Sequence, residues 1–320
     1  MKKKVLSVFL AMGMAISMLS GCGGAATDDA LDKAEEETVS DASEDAVTEP
    51  QKSESTGDSK SDSDLYELFK GGEVKAVYTG AADKAEYVSP GNVLSVGSAY
   101  DINEIIDLIS SGDEYMEMHV SSDPMYRMID CGSDGEPELL VSVEFEGPEI
   151  FTLFLVIKEI DGELNIIYDA DMWSRSETII NDDGTIETGG SGGAAIHYSS
   201  DAFIDKDGNY KFYYGVETEY CPLEFYVDRN GSFEPISFEG TDTDHLVVYT
   251  YSTEAAGGDT TYYYSYGVLD DNFNEITTEA DFSDDNAYKQ VFMNAGIDVY
   301  SKSEIDSILS NKATEIGYPL

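Results

Sequence analysis

The chain has 320 residues, with 65 acidic and 18 basic side chains and a formal net charge of −47 at pH 7. Such a polyanion repels phosphate backbones and gains nothing from counterion release, so nucleic acid is excluded as a partner. An anionic lipid surface would likewise repel it.

Lys2, Lys3 and Lys4 lead a nearly uncharged apolar stretch from Val5 to Leu19, which stops at Leu19-Ser20-Gly21-Cys22. About 15 apolar residues are too few to cross a bilayer comfortably, whereas a positive start and a short apolar core fit a secretory leader. With the LSGC tetrad, residues 1–21 resemble the signal peptide and lipobox of a bacterial lipoprotein. The resemblance implies that Cys22 takes a diacylglyceryl thioether and becomes the new N-terminus. Fatty chains of the palmitate kind would then anchor the protein to the extracytoplasmic face of the cell membrane. Residues 22–64, the lipidated Cys and an acidic Ser- and Ala-rich segment without aromatic residues, are expected to form a disordered tether.

Composition changes at residue 65. All 22 tyrosines follow it, and residues 65–320 are expected to form one β-rich extracytoplasmic domain. Short β-branched or aromatic runs predict strands at Met125 to Ile129, Leu139 to Phe145, Ile150 to Ile160, Leu164 to Tyr168, Tyr210 to Val216, Leu223 to Val227, Leu246 to Tyr251 and Tyr262 to Val268. Turn signals such as Asp161-Gly162, Asp207-Gly208-Asn209 and Asn230-Gly231 connect them and predict antiparallel meanders. The Ile150 to Ile160 run is apolar on both faces and is expected at the centre of a doubly covered sheet. Helices are predicted around Leu65 to Phe69, behind an Asp101/Glu104 capping box, from Asp284 to Ala295, and from Ser303 to Lys312. Thr79 to Asn92 is expected to be a loop, and Gly189 to Gly193 is a possible seam. The fold class is α+β, β-rich, with antiparallel meanders and a few peripheral helices at the two ends.

Several constellations could carry chemistry. Asp130-Cys131-Gly132-Ser133-Asp134-Gly135-Glu136-Pro137-Glu138 resembles the DxDGDGxxEL calcium loops of extracellular β proteins, with Asp130, Asp134 and Glu138 at acidic positions. Gly132 departs from that pattern, so the alternatives are a weak Ca2+ site and a plain tight turn. Gly189-Gly190-Ser191-Gly192-Gly193 satisfies GxSxG, but hairpin-like surroundings and His197 only six residues on favour a glycine loop over a nucleophile elbow. Cys131 and Cys221 are the thiols left beside Cys22, and their pairing is open. His119, His197 and His245 are scattered and form no metal-binding spacing.

The strand period puts Tyr249 with Tyr251 on one face, and Tyr262, Tyr264 and Tyr266 on one face of the next strand. Pairing of the two strands is expected to give a cross-strand tyrosine ladder, either buried against a core or exposed as a stacking platform.

Taken as a longer string, Leu65 to Phe69, the DCGSDGEPELL segment, Met172-Trp173-Ser174-Arg175-Ser176, the Gly189 run and Asp205 to Asn209 resemble a group of surface lipoproteins of gut Clostridia. That resemblance implies location and kind, without an activity or site residues. The expected function is a membrane-anchored, non-catalytic binding or interaction module that contacts a cell-envelope glycan, peptide or protein through the Tyr-rich strands, the Gly-rich loop or Trp173. The alternative is a surface hydrolase of carboxylate, glycosidase-like type, with a cleft near Trp173.

Overall fold

Three long apolar strands build the first sheet: β5 (Glu138–Glu146), β6 (Phe151–Ile160) and β7 (Glu163–Trp173). Asp161 and Gly162 both take positive φ, +54° and +83°, the geometry of a two-residue hairpin whose twist matches its strands. β1 (Ala76–Tyr78) adds in parallel to β7, and β2 (Ala99–Tyr100) follows it. β3 (His119–Val120) and β4 (Met125–Ile129) pair with the other edge of β5. The computed structural model describes residues 64–80, 93–111, 118–255 and 258–319, and these belong to one compact unit. The leader, Cys22, the tether to Ser63 and most of the expected loop from Thr79 to Asn92 lie outside the described residues.

β6 occupies the sheet centre and is covered on both faces, as its two-sided apolar pattern requires. Leu153, Leu155 and Ile157 face one core with Tyr66 and Phe69 of α1 (Asp64–Lys70) and Ile102, Ile105 and Ile109 of α2 (Ile102–Ser111). The capping box forms: Asp101 Oδ1 accepts from Glu104 N at 3.0 Å, and Glu104 Oε2 from Asp101 N at 3.1 Å. On the opposite face Val156, Leu140, Ile167 and Tyr168 meet Ile180, Ile186, Ala202 and Ile204. A bulge opposite Val156 and Ile157 lets neighbouring Ile167 and Tyr168 both serve this second core.

Those four partners belong to a second, six-stranded antiparallel sheet ordered β15-β14-β11-β10-β9-β8. Its strands are β8 (Ser176–Ile180), β9 (Thr185–Ser191), β10 (Ile196–Ile204), β11 (Tyr210–Tyr220), β14 (Leu246–Glu254) and β15 (Thr260–Val268). The hairpin of β12 (Glu224–Asp228) and β13 (Phe233–Ser237) joins α3 (Ala287–Asn294) over β14 and β15 to close a third core. α4 (Lys302–Ile316) lies against β11, where Tyr213 Oη donates to Leu309 O at 3.2 Å. The Gly189 run belongs to the β9–β10 hairpin and is no domain seam, because Gly189 and Gly190 are paired strand residues. α3 starts later than expected because Asn286 caps it, and α4 runs on to Gly317 at φ +72°.

The DCGSDGEPEL turn fastens one sheet to the other. Asp130 N donates to Asp182 O at 2.7 Å and Gly132 N to Asp183 O at 3.0 Å, while Arg127 reaches Asp182 and the Ile180 carbonyl. A side chain at Gly132 would strike the Lys206 backbone, and one at Gly184 would strike Cys131, so three turns meet here at backbone distance. Beneath them the fully buried Glu138 forms an ion pair with Lys158 and accepts from Cys131 N at 2.8 Å. Removing one partner leaves an uncompensated buried charge. Lys158→Ala is expected to destabilise the fold by about 3–5 kcal/mol, measured by urea denaturation, whereas Lys206→Ala on the surface should stay within about 0.5 kcal/mol of wild type.

Candidate functional site

The register of β14 on β15 decides which tyrosines are open. Tyr249 stands opposite Ser265 and Tyr251 opposite Tyr263, while Tyr262, Tyr264 and Tyr266 stand opposite Ser252, Thr250 and Val248. Paired residues share a face, so the expected ladder splits into two sets on opposite sides of the sheet. Tyr264 and Tyr266 are buried in the third core, where Tyr266 stacks on Phe282 at 4.7 Å, and Tyr262 packs at its margin against Phe233. The Tyr264 hydroxyl accepts from Asp228 N at 2.6 Å, and the Tyr266 hydroxyl donates to Asp281 O. These three rings are structural.

Tyr249 and Tyr251 join a different group. Following the register across the sheet, their face also carries Tyr263, Thr218, Val216, Tyr220 and Tyr214, then His197, Ser199 and Asp201, then Gly189 and Glu187. The rings of Tyr249 and Tyr251 lie 6.2 Å apart, and His197 meets Tyr220 edge-on at 6.0 Å. Tyr249 Oη donates to Glu275 Oε2 at 2.8 Å; burial, and then this carboxylate, push its pKa up. Burial and Asp201 do the same for Tyr214. Both phenols therefore stay neutral donors at physiological pH. Glu275 crosses one end of the face above Gly267, and α4 crosses the other, bringing Asp306 near Tyr251.

At the His197 end the face opens into a basin of about 480 Å³ lined by Ala194, Ala195, His197, Tyr220, Cys221 and Phe273. A second depression of about 280 Å³ shares Cys221 and Phe273 and adds Asp244, His245, Asp270 and Asp271. Phe273 is 64% exposed and sits at φ +61°, left-handed backbone that costs a bulky residue about 1–2 kcal/mol. Asp270 holds it there, its carboxylate accepting from Asn272 N and Asn274 N at 2.8 and 2.9 Å, and its carbonyl from Phe273 N at 2.9 Å. Cys221, at φ +53°, is the second strained residue of the basin. Both left-handed residues line the basin, and Phe273 is its exposed ring. The sequence signal for it was a lone Phe inside the polar run Asp270 to Glu275.

The other predicted residues take structural places. Trp173 packs at 4.8 Å on Phe151 and donates to Asp171 Oδ2 at 2.9 Å, so the indole braces the first core and is no platform. Asp130 accepts from Gly135 N, Asp134 from Glu136 N, and Glu138 is taken by Lys158 and Cys131 N. The three carboxylates close the turn from within, and among the described residues no group of three His, Cys, Asp or Glu side chains is placed to hold a metal ion. The calcium expectation is not met by this geometry. Ser191 ends a strand of an antiparallel hairpin and donates to Gly193 O at 2.7 Å, which is not the strand–turn–helix setting of a nucleophile elbow. Cys131 and Cys221 are both free. Burial and then Glu138 push the Cys131 thiol well above its usual range.

On the opposite side of β11, Glu217 and Glu219 point the same way, two residues apart on one strand. Burial raises both, and Glu219 reaches about 7 with Glu217 beside it. The folded state thus holds this proton more tightly than the unfolded chain does, so stability should fall as pH rises from about 4.5 to about 7. Glu219→Gln is expected to flatten the melting temperature across that window and to add on the order of 1–3 kcal/mol at about pH 8. Thermal melts of both proteins at stepped pH check it, and parallel curves would contradict the assignment.

Compared with known protein families, curated proteins and solved structures, the chain matches none.

Proposed function

We propose that this protein is a membrane-anchored extracytoplasmic lipoprotein whose β-rich body is a non-catalytic binding module for a partner in the cell envelope. The observation that carries the binding half is the open face of the second sheet, where Tyr220, Tyr249, Tyr251 and Tyr263 lie half-buried beside the basin of Phe273. Half-buried tyrosines on a rigid sheet offer contact area at small entropic cost, with hydroxyls available for orientation. An open basin suits an extended or flat partner, since small-molecule sites enclose most of their ligand. The Lys2 to Lys4 start, the short apolar core and the LSGC tetrad support the anchor.

A second function is favoured by the Glu217/Glu219 pair, because a carboxyl near pH 7 is the acid that a surface glycosidase needs. The two acids stand on the sheet face opposite the open tyrosines, so the two functions separate by mutation. Glu219→Gln leaves binding unchanged if the tyrosine face is the site, and abolishes turnover of envelope polysaccharide if the pair is catalytic.

The anchor has its own test. Metabolic labelling with radioactive palmitate should mark the wild-type chain and not Cys22→Ser, and the variant should leave the membrane fraction. Label retained by Cys22→Ser would remove lipidation at this cysteine from the proposal.

A further inference from the structure

We infer that the open face of the second sheet receives a lysine- and arginine-rich polypeptide segment in extended conformation. The inference rests on the binding-module proposal and adds the chemistry of the partner. Charge supports it first. By register, the described positions on this face include Glu177, Glu187 and Asp201 against one cation, Lys211, which stands opposite Phe203 and pairs with Asp205. Glu275 leans over the tyrosines from the loop and Asp306, itself paired with Lys302, from α4, so carboxylates outnumber cations there. The whole chain, at −47, draws cationic partners from a distance and repels anionic ones.

Ring geometry supports it second. Ammonium and guanidinium groups are attracted to the faces of tyrosine rings, the more so where sheet packing has already fixed the rings and removed part of their water. Tyr249 and Tyr251 are spaced at 6.2 Å. Alternate side chains of an extended strand repeat at about 6.6–6.8 Å, so successive cationic side chains of one such segment meet successive rings. The hydrogen-bond inventory agrees. Glu275 and Asp201 already accept from Tyr249 and Tyr214, and a carboxylate with about four acceptor sites keeps capacity for a cationic donor.

The full-length chain in non-ionic detergent, titrated into a fluorescent peptide of alternating arginine and serine at physiological ionic strength, tests this by anisotropy. Tyr249→Leu with Tyr251→Leu is expected to weaken binding about tenfold, whereas Tyr251→Phe, which keeps the ring, should retain it. Glu187→Gln with Glu275→Gln should weaken it similarly, and the charge-matched exposed pair Glu224→Gln with Glu239→Gln by less than about twofold. Circular dichroism melts confirm that each variant is folded. Equal losses from the two charge-matched pairs would mean diffuse attraction and would overturn the inference. Tyrosine-dependent binding of a neutral N-acetylglucosamine oligomer in place of the peptide would overturn the cationic chemistry and leave the binding module standing. If neither probe shows tyrosine-dependent binding, the face fails as a binding surface and the proposal beneath it falls too.

Discussion

The fold depends on one buried ion pair and the turn above it. Glu138 and Lys158 sit between the two large sheets, on neighbouring strands of the first, and the DCGSDGEPEL turn bonds backbone to backbone with the β8–β9 connection of the second. An ion pair in so dry a place contributes little net energy beside a well-packed apolar substitute, but it punishes any arrangement that separates its members. The pair ties β5 to β6, and the backbone bonds of the turn, Asp130 N to Asp182 O and Gly132 N to Asp183 O, carry the docking. The second sheet is thereby held with Ile186, Ala202 and Ile204 down on Val156 and Ile167, and its other face is left outward.

That outward face is a product of pairing parity more than of composition. A shift of one residue between β14 and β15 would set Tyr249 opposite Tyr264 or Tyr266 and bring both tyrosine sets onto one face. The observed register instead gives the third core its stacked rings and leaves the phenols with acidic neighbours, Glu275 and Asp201, on the open side. Aromatic rings and carboxylates together, on a six-stranded paired sheet, form a predominantly acidic aromatic surface.

Much of this was legible in the chain. The apolar strands β4 to β7, the doubly covered β6, the capping box at Asp101 and the opening and closing helices all follow from periodicity and turn chemistry. β8, β9 and β10 escaped, because runs such as Ser176 to Ile180 and Thr185 to Ser191 mix Ser, Thr, Gly and Glu with few apolar residues. They pair because neighbouring strands supply the ladder, which single-strand propensity does not record. The tyrosine ladder failed for a related reason: period 2 assigns faces within a strand and says nothing about the offset between strands. Trp173, Asp130, Asp134 and Glu138 looked chemical in sequence because side chains that close turns and brace cores are of the same residue types as catalytic and binding ones.

Phe273 places two demands on the same residue. Glycine in its left-handed turn would relieve the backbone and steady the Asp270 connection, yet it would also strip the basin of its most exposed ring. Conformational ease and an exposed aromatic surface therefore pull that position in opposite directions, so a variant library screened only for heat resistance would be drawn toward a sturdier molecule that has lost the ring.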